Sequence, residues 1–137
     1  MKRPLFPPYL DAIAQDGTRS QGPAVATLQL ILIALPTMVP TSDYWGHPEI
    51  TGVYDDATID SVKELQRRLN NGGFMRNTKK FAAENLDEDG NFGPATRAAV
   101  KKHFGIDFDA MFLGDTIWID PKGKIRRWIP GRSQAKS

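Results

Sequence analysis

A chain of 137 residues, 40% hydrophobic and a quarter charged, is long enough to bury one core of modest size and reads as a single compact domain with additions at its ends. It has no cysteine, which excludes disulfides, thiolate metal sites and cysteine nucleophiles. The formal net charge is only +2, yet six Lys/Arg and no acid follow Asp120, against twelve basic and sixteen acidic side chains in residues 1–120.

In chain order, Lys2 and Arg3 open the sequence, but Pro4, Pro7 and Pro8 interrupt it before an apolar run develops, so no signal peptide is read there. Residues 1–21 are expected as an extended arm with one helical turn at 9–14. A first helix is expected from Pro23, at the first helical position, to about Leu35, where Pro36 stops it. Val25, Leu28, Leu32 and Leu35 make one stripe, and Ile31 and Ile33 widen it so far that this helix is expected to be central and buried. Its apolar run, 28–35, is far shorter than the ~20 residues of a membrane span.

Residues 37–51 read as a loop with an aromatic middle, Tyr44-Trp45. A turn at Gly52 leads into a helix capped by Asp55 or Asp56, with the stripe Ile59, Val62, Leu65 and Leu69 and a stop at Gly72-Gly73. A short polar helix is expected at 78–85, followed by a second turn at Gly90 and a third helix from Pro94 to a stop at Gly105. The period then changes. Residues 116–120 and 124–129 flank Pro121-Lys122-Gly123 and read as a β-hairpin, which must pack on the body or extend another sheet, because an isolated hairpin is marginal in water.

Two of these stretches repeat one another. At an offset of 38, Gly52/Gly90, Tyr54/Phe92, Ala57/Ala95, Thr58/Thr96, Val62/Val100 and Lys63/Lys101 coincide or nearly so. A second repeat runs through the first, with Val25, Leu28, Gln29 and Leu32 matching Val62, Leu65, Gln66 and Leu69. The middle helix thus ends one unit and begins the next. The roles are architectural: glycine permits a positive φ, Tyr54 and Phe92 plug the gap between helices, and Thr58 and Thr96 offer hydroxyls to the first helical turn.

The order V-x-x-L-Q-x-x-L, a variable loop, then D-G-x-F-G-x-x-T-x-x-A-V resembles the peptidoglycan-binding domain family, the small three-helix wall-anchoring modules of many bacterial and phage lytic proteins. The resemblance is best at 89–96 with Ala99-Val100 and spans roughly 22–112. It implies a mainly α fold, a three-helix bundle built from a duplicated turn-helix motif, here with a C-terminal hairpin and terminal arms. The implied division is an N-terminal arm at 1–21, the helical domain at 22–112, and hairpin plus basic tail at 113–137. The chain departs from the family pattern at Thr51-Gly52, where Asp-Gly is usual, and at His103-Phe104, where an aromatic-Gln pair is usual.

Catalysis finds no support. Only His47 and His103 are available, without the spacing of a zinc site, and His103 is expected to cap or pack at its helix end. There is no G-x-S-x-G turn, and the acids sit in caps and turns where structural carboxylates belong. Asp87-Glu88-Asp89 opens like a calcium loop, but Phe92 and Ala98 occupy the positions that need glycine and a bidentate glutamate. Neither metal nor cofactor is expected.

For binding, Tyr44, Trp45, Asp89, Asn91 and Arg97 are the ligand candidates: aromatics for sugar faces and polar anchors beside the second turn. Trp45 also fits a role as a core or loop-tethering aromatic. Trp118, Lys124, Arg126, Arg127, Trp128 and Arg132 are the candidates for a partner surface. The basic arm suits an anionic surface such as nucleic acid, wall teichoic acid or the acidic face of a neighbouring protein, or it is a solvated tail. Two functions follow: a non-catalytic peptidoglycan-binding module, phage-encoded or phage-associated and acting at the bacterial wall, or a structural virion protein docked through its terminal arms. The phage reading would also put the chain in the virion or host cytoplasm.

Overall fold

The structure, a computed structural model, describes residues 7, 10–14, 16–38, 48–71, 75–76, 79–80, 83–108, 116–119, 122 and 124–128. Among these residues three helices carry the fold: α1 (Pro23–Ala34), α2 (Asp56–Asn71) and α3 (Pro94–Phe104). The described strands form two antiparallel pairs: β1 (Met75–Arg76) with β2 (Lys79–Lys80), and β3 (Thr116–Ile119) with β4 (Ile125–Trp128). The expected mainly α three-helix bundle with a C-terminal hairpin is the observed architecture.

α1 starts with proline at its first position after Gly22, and from Leu35 to Met38 it tightens into a 3₁₀ turn containing Pro36, whose missing N–H cannot continue the α-helical ladder. Val25, Leu28, Leu32 and Leu35 are all buried, as their spacing predicts. The helix is not buried all round, however. Leu30 is 53% exposed and Ile31 and Ile33 are only half-buried, so α1 lays one face on the body and leaves apolar side chains towards solvent rather than being central within it.

α2 is capped by Asp55, whose Oδ1 accepts from the Thr58 backbone N–H (2.9 Å) and hydroxyl (2.7 Å). Val62, Leu65 and Leu69 are buried, with Ile59 packed against them. α3 ends at Gly105 in the left-handed conformation, its N–H bonded to the Lys101 carbonyl. Tyr54 and Phe92 lie 0% and 2% exposed in the common core with Leu10, Leu28, Leu65 and Val100. Each such side chain removed from water contributes roughly 1.5–3 kcal/mol.

Two expected helical pieces are absent among the described residues. At 78–85, Lys79–Lys80 pairs with Met75–Arg76 as a strand, and residues 83–85 are not helical. Backbone groups here bind the end of α2 instead: Glu84 N–H donates to the Leu69 carbonyl, while Asn70 accepts from Leu86 N–H and donates to its carbonyl. The helical turn at 9–14 is also missing. Leu10 bridges Phe92, Asp11 bridges Ile119 and Ile13 bridges Arg19, so this segment is extended and lies on the body with Leu10 fully buried.

The hairpin packs on the body, as its marginal isolated stability requires. Gln21 and Ile117 exchange two backbone hydrogen bonds of 2.8 Å, Asp11 N–H donates to Ile119, and Ile119 is 1% exposed. On its other side the same N-terminal segment holds the first turn, through Gly22 N–H to Gly52 and Tyr54 N–H to Ser20.

Candidate functional site

The geometry of the second turn begins with one buried glutamine. Gln66, 1% exposed on α2, accepts from Gly90 N–H (2.9 Å) and donates to the Asn91 carbonyl (2.9 Å), the Thr96 hydroxyl (3.1 Å) and Asp89 Oδ1 (3.2 Å). A single side chain therefore fixes the turn to the first residues of α3. Gly90 has φ +79°, and a Cβ there would stand 2.7 Å from Ile59 Cγ2 and 3.0 Å from the Ile59 carbonyl oxygen. Only glycine fits this turn without displacing α2.

The first turn is held in the same way. Gln29, 0% exposed on α1, accepts from Thr51 and Gly52 N–H (both 2.9 Å) and donates to the Val53 carbonyl (2.9 Å), the Thr58 hydroxyl (3.0 Å) and the Thr51 hydroxyl (3.2 Å). Thr51 Oγ1 accepts from Val53 N–H just as Asp89 Oδ1 accepts from Asn91 N–H. The departure from Asp-Gly thus preserves the turn acceptor. Tyr54 joins the two turns by donating to the Gly90 carbonyl at 2.5 Å, and its hydroxyl is pushed well above its ordinary pKa by burial and then by the nearby Asp11 and Asp89.

Beside the second turn opens a cleft of about 310 Å³, lined by Asp11, Asp87, Asp89, Asn91, Pro94 and Thr96 among others, with Leu86 and Ala95 adding apolar wall. Its carboxylates and amide offer acceptors to hydroxyl, amide or ammonium groups, on a floor made rigid by the Gln66 clasp. Asp89 and Asn91 are brought together here, and both also hold the turn: Asn91 Oδ1 accepts from Ala12 N–H at 2.8 Å. Arg97 does not line the cleft. Its guanidinium donates to the Pro7 carbonyl at 2.6 Å and so secures the N-terminal segment.

Tyr44, Trp45 and Arg132 lie outside the described residues. Lys124, Arg126 and Arg127 are exposed on the hairpin, where Arg126 stands opposite Trp118 and Thr116 opposite Trp128 in the register. His103 packs at the end of α3, its Nε2 2.7 Å from Glu84 Oε2, with Lys102 Nζ 3.2 Å from the same oxygen. The His103 hydrogen bond, with Lys102 assisting, holds the Glu84 carboxyl below its ordinary value. Sequence reasoning missed Gln29 and Gln66. The signal was present, since each is a polar residue set into an apolar stripe at the same place in both copies.

Among the described residues no group of three or more His, Cys, Asp or Glu could hold a metal ion, and no helix is long and apolar enough to cross a membrane. No curated protein and no solved structure matches the chain. Residues 59–103, which run through α2 and the Gln66 clasp to α3, match the family model described as a putative peptidoglycan binding domain, the family that the duplicated motif resembles.

Proposed function

We propose that this chain is a non-catalytic peptidoglycan-binding module whose ligand cleft lies beside the second turn. The observation that carries the reading is a coincidence of position. The segment matching the peptidoglycan-binding family contains Asp87, Asp89, Asn91, Pro94 and Thr96, which line the cleft together with Asp11 from outside that segment. A cleft with fixed acceptors over a small apolar wall suits a wall fragment, whose sugars and stem peptide carry hydroxyl and amide donors. Tyr44 and Trp45 complete this proposal as aromatic surfaces for a sugar ring, and Asp89 and Asn91 serve as polar anchors. Wall activity then comes from a partner or from another part of the same system, and the chain acts at the cell wall.

Purified insoluble peptidoglycan tests it. The chain is expected to sediment with the wall, Trp45→Ala to weaken retention, and recovery in the soluble fraction at low salt would sink the reading.

A second reading, a structural component of a phage particle that reuses this fold, is favoured by one observation. Leu30 and Ile50, the chain neighbours of Gln29 and Thr51, are each 53% exposed at the first turn, an apolar display typical of protein contacts. Leu30→Lys with Ile50→Lys is expected to block incorporation into such a particle while leaving wall sedimentation intact. Normal incorporation of the double variant removes this reading.

A further inference from the structure

Asn91 lines the cleft beside the second turn, and only one end of its carboxamide is engaged by the protein. Oδ1 accepts from Ala12 N–H at 2.8 Å, and because a backbone N–H can only donate, it is the oxygen of the carboxamide that must face Ala12. Ala12 is itself fixed, since its carbonyl accepts from Ser20 N–H at 3.1 Å, so a flip of the Asn91 amide would orphan a buried donor. The other end, Nδ2, carries donors that no group among the described residues accepts. Asp89 is engaged in the complementary way. Its Oδ1 accepts from Asn91 N–H and Gln66 Nε2, whereas Oδ2 accepts from no group among the described residues. Asp87 is exposed and makes no hydrogen bond or ion pair among them. The cleft therefore holds an oriented donor, carboxylate acceptors from the same turn, and the apolar surface of Leu86 and Ala95.

We propose that the cleft reads an acylamino group of the wall, a secondary amide with a short alkyl substituent, an inference that rests on the wall-binding reading above. The carbonyl oxygen of that group accepts from Asn91 Nδ2, its N–H donates to Asp87 or to Asp89 Oδ2, and its alkyl part lies on Leu86 and Ala95. Other wall groups leave one side of this arrangement unused. An ammonium has donors only and gives Nδ2 no acceptor, while a carboxylate or phosphate has no donor for the aspartates and meets them with like charge. A hydroxyl satisfies both polarities but offers nothing to the apolar wall. The volume of about 310 Å³ lies at the small end of ligand cavities, roughly 300–1,000 Å³, and suits one such group with the unit that carries it. Two wall components share this chemistry: the acetamido groups of amino sugars and the short peptide links of the stem.

The full chain, isotope-labelled for NMR, is titrated with a tetramer of N-acetylglucosamine, with the same tetramer after de-N-acetylation, and with the blocked peptide N-acetyl-Ala-Ala-amide. At least one of the two acylamino probes is expected to bind with a Kd of about 1 mM or tighter and to move the side-chain NH₂ signals of Asn91. The tighter of the two identifies the source. The de-N-acetylated tetramer, which keeps its hydroxyls and gains ammonium groups, is expected to bind at least about tenfold more weakly than that probe. Asn91→Asp keeps an oxygen for Ala12 N–H and exchanges the free donor for an acceptor, so it is expected to weaken binding by about tenfold with an unchanged circular dichroism spectrum. Should that variant unfold, the Asn91 signals of the native chain decide. Equal or tighter binding of the de-N-acetylated tetramer overturns the proposal, as does binding of neither acylamino probe, or binding that leaves the Asn91 signals unmoved. If the proposal fails in this way while the chain still sediments with peptidoglycan, the wall-binding reading stands without this ligand. If the chain does not sediment but an acylamino probe binds at Asn91, the proposal stands and wall binding is lost.

Discussion

Gln29 and Gln66 hold their turns with almost the same set of hydrogen bonds, yet the surfaces around the two turns differ in kind. Around the second, Asp60, Lys63, Glu64, Arg67 and Glu88 line a charged hollow on α2. The corresponding positions of the first copy are Pro23, Ala26, Thr27, Leu30 and Ile50, which carry no charge at all. Duplication has thus kept the interior lock and released the exterior. The family match covers only the second copy, 59–103, although the first copy folds by the same device. Internal polar clasps therefore identify the fold, and solvent-facing positions are where a difference in binding must lie.

Removing the clasp should have the largest effect. Gln66→Ala strips the partners from Gly90 N–H, the Asn91 carbonyl and the Thr96 hydroxyl, and buried groups left unpaired cost about 1–3 kcal/mol each. We expect a loss of about 4 kcal/mol in urea unfolding, and Gln29→Ala should match it to within about 1 kcal/mol. A much smaller loss for Gln29→Ala would break the equivalence of the two copies.

The glycines should separate them. Both have positive φ, which costs an alanine about 1–2 kcal/mol. At Gly52 the nearest atom to a new Cβ is the Gly22 carbonyl oxygen at 3.7 Å, whereas at Gly90 it is Ile59 Cγ2 at 2.7 Å. Gly90→Ala should therefore cost about 3 kcal/mol against about 1 kcal/mol for Gly52→Ala, read from paired denaturation midpoints.

A smaller effect belongs to the Glu84–His103 contact behind the second turn. Because this carboxyl titrates below its ordinary value of 4.5 in the folded chain, its stabilisation is present above that pH and is lost as pH falls through the lowered folded value. Glu84→Gln should cost about 1 kcal/mol at pH 7, and the gap to the native chain should close on acidification below 4.5. A gap that widens on acidification would show that the carboxylate destabilises the fold. Smallest of all, Leu30→Lys should change stability by less than about 0.5 kcal/mol, since the side chain is already more than half exposed.

Much of this fold was legible because punctuation and periodicity agreed. Pro23, Asp55, Pro94 and Gly105 bound the helices where their chemistry places them, and the stripe on α2 is the buried stripe. Residues 78–85 misled because polar content fits a surface helix as well as an irregular segment, and the bonds that decide the matter come from Leu69 and Asn70, distant in sequence. The cleft was half legible. Asp89 and Asn91 could be named from the motif, but Asp11 reaches the same place only because the N-terminal segment lies along Phe92 and β3. Arg97 looked like a ligand anchor and is occupied with the Pro7 carbonyl, a contact 90 residues apart in the chain. The position of the two glutamines is taken in α3 by Phe104, 4% exposed.

The central claim is that wall binding resides in the cleft of the second copy and not in its counterpart. Asp87 and Glu49 occupy equivalent, exposed positions in the two copies, so charge reversal at either should leave the fold intact. Sedimentation of Asp87→Arg and Glu49→Arg with purified peptidoglycan measures the claim most directly. The account predicts roughly tenfold weaker retention for Asp87→Arg, about 1.4 kcal/mol, and none of that loss for Glu49→Arg; equal retention of the two variants, or loss only in Glu49→Arg, would contradict it.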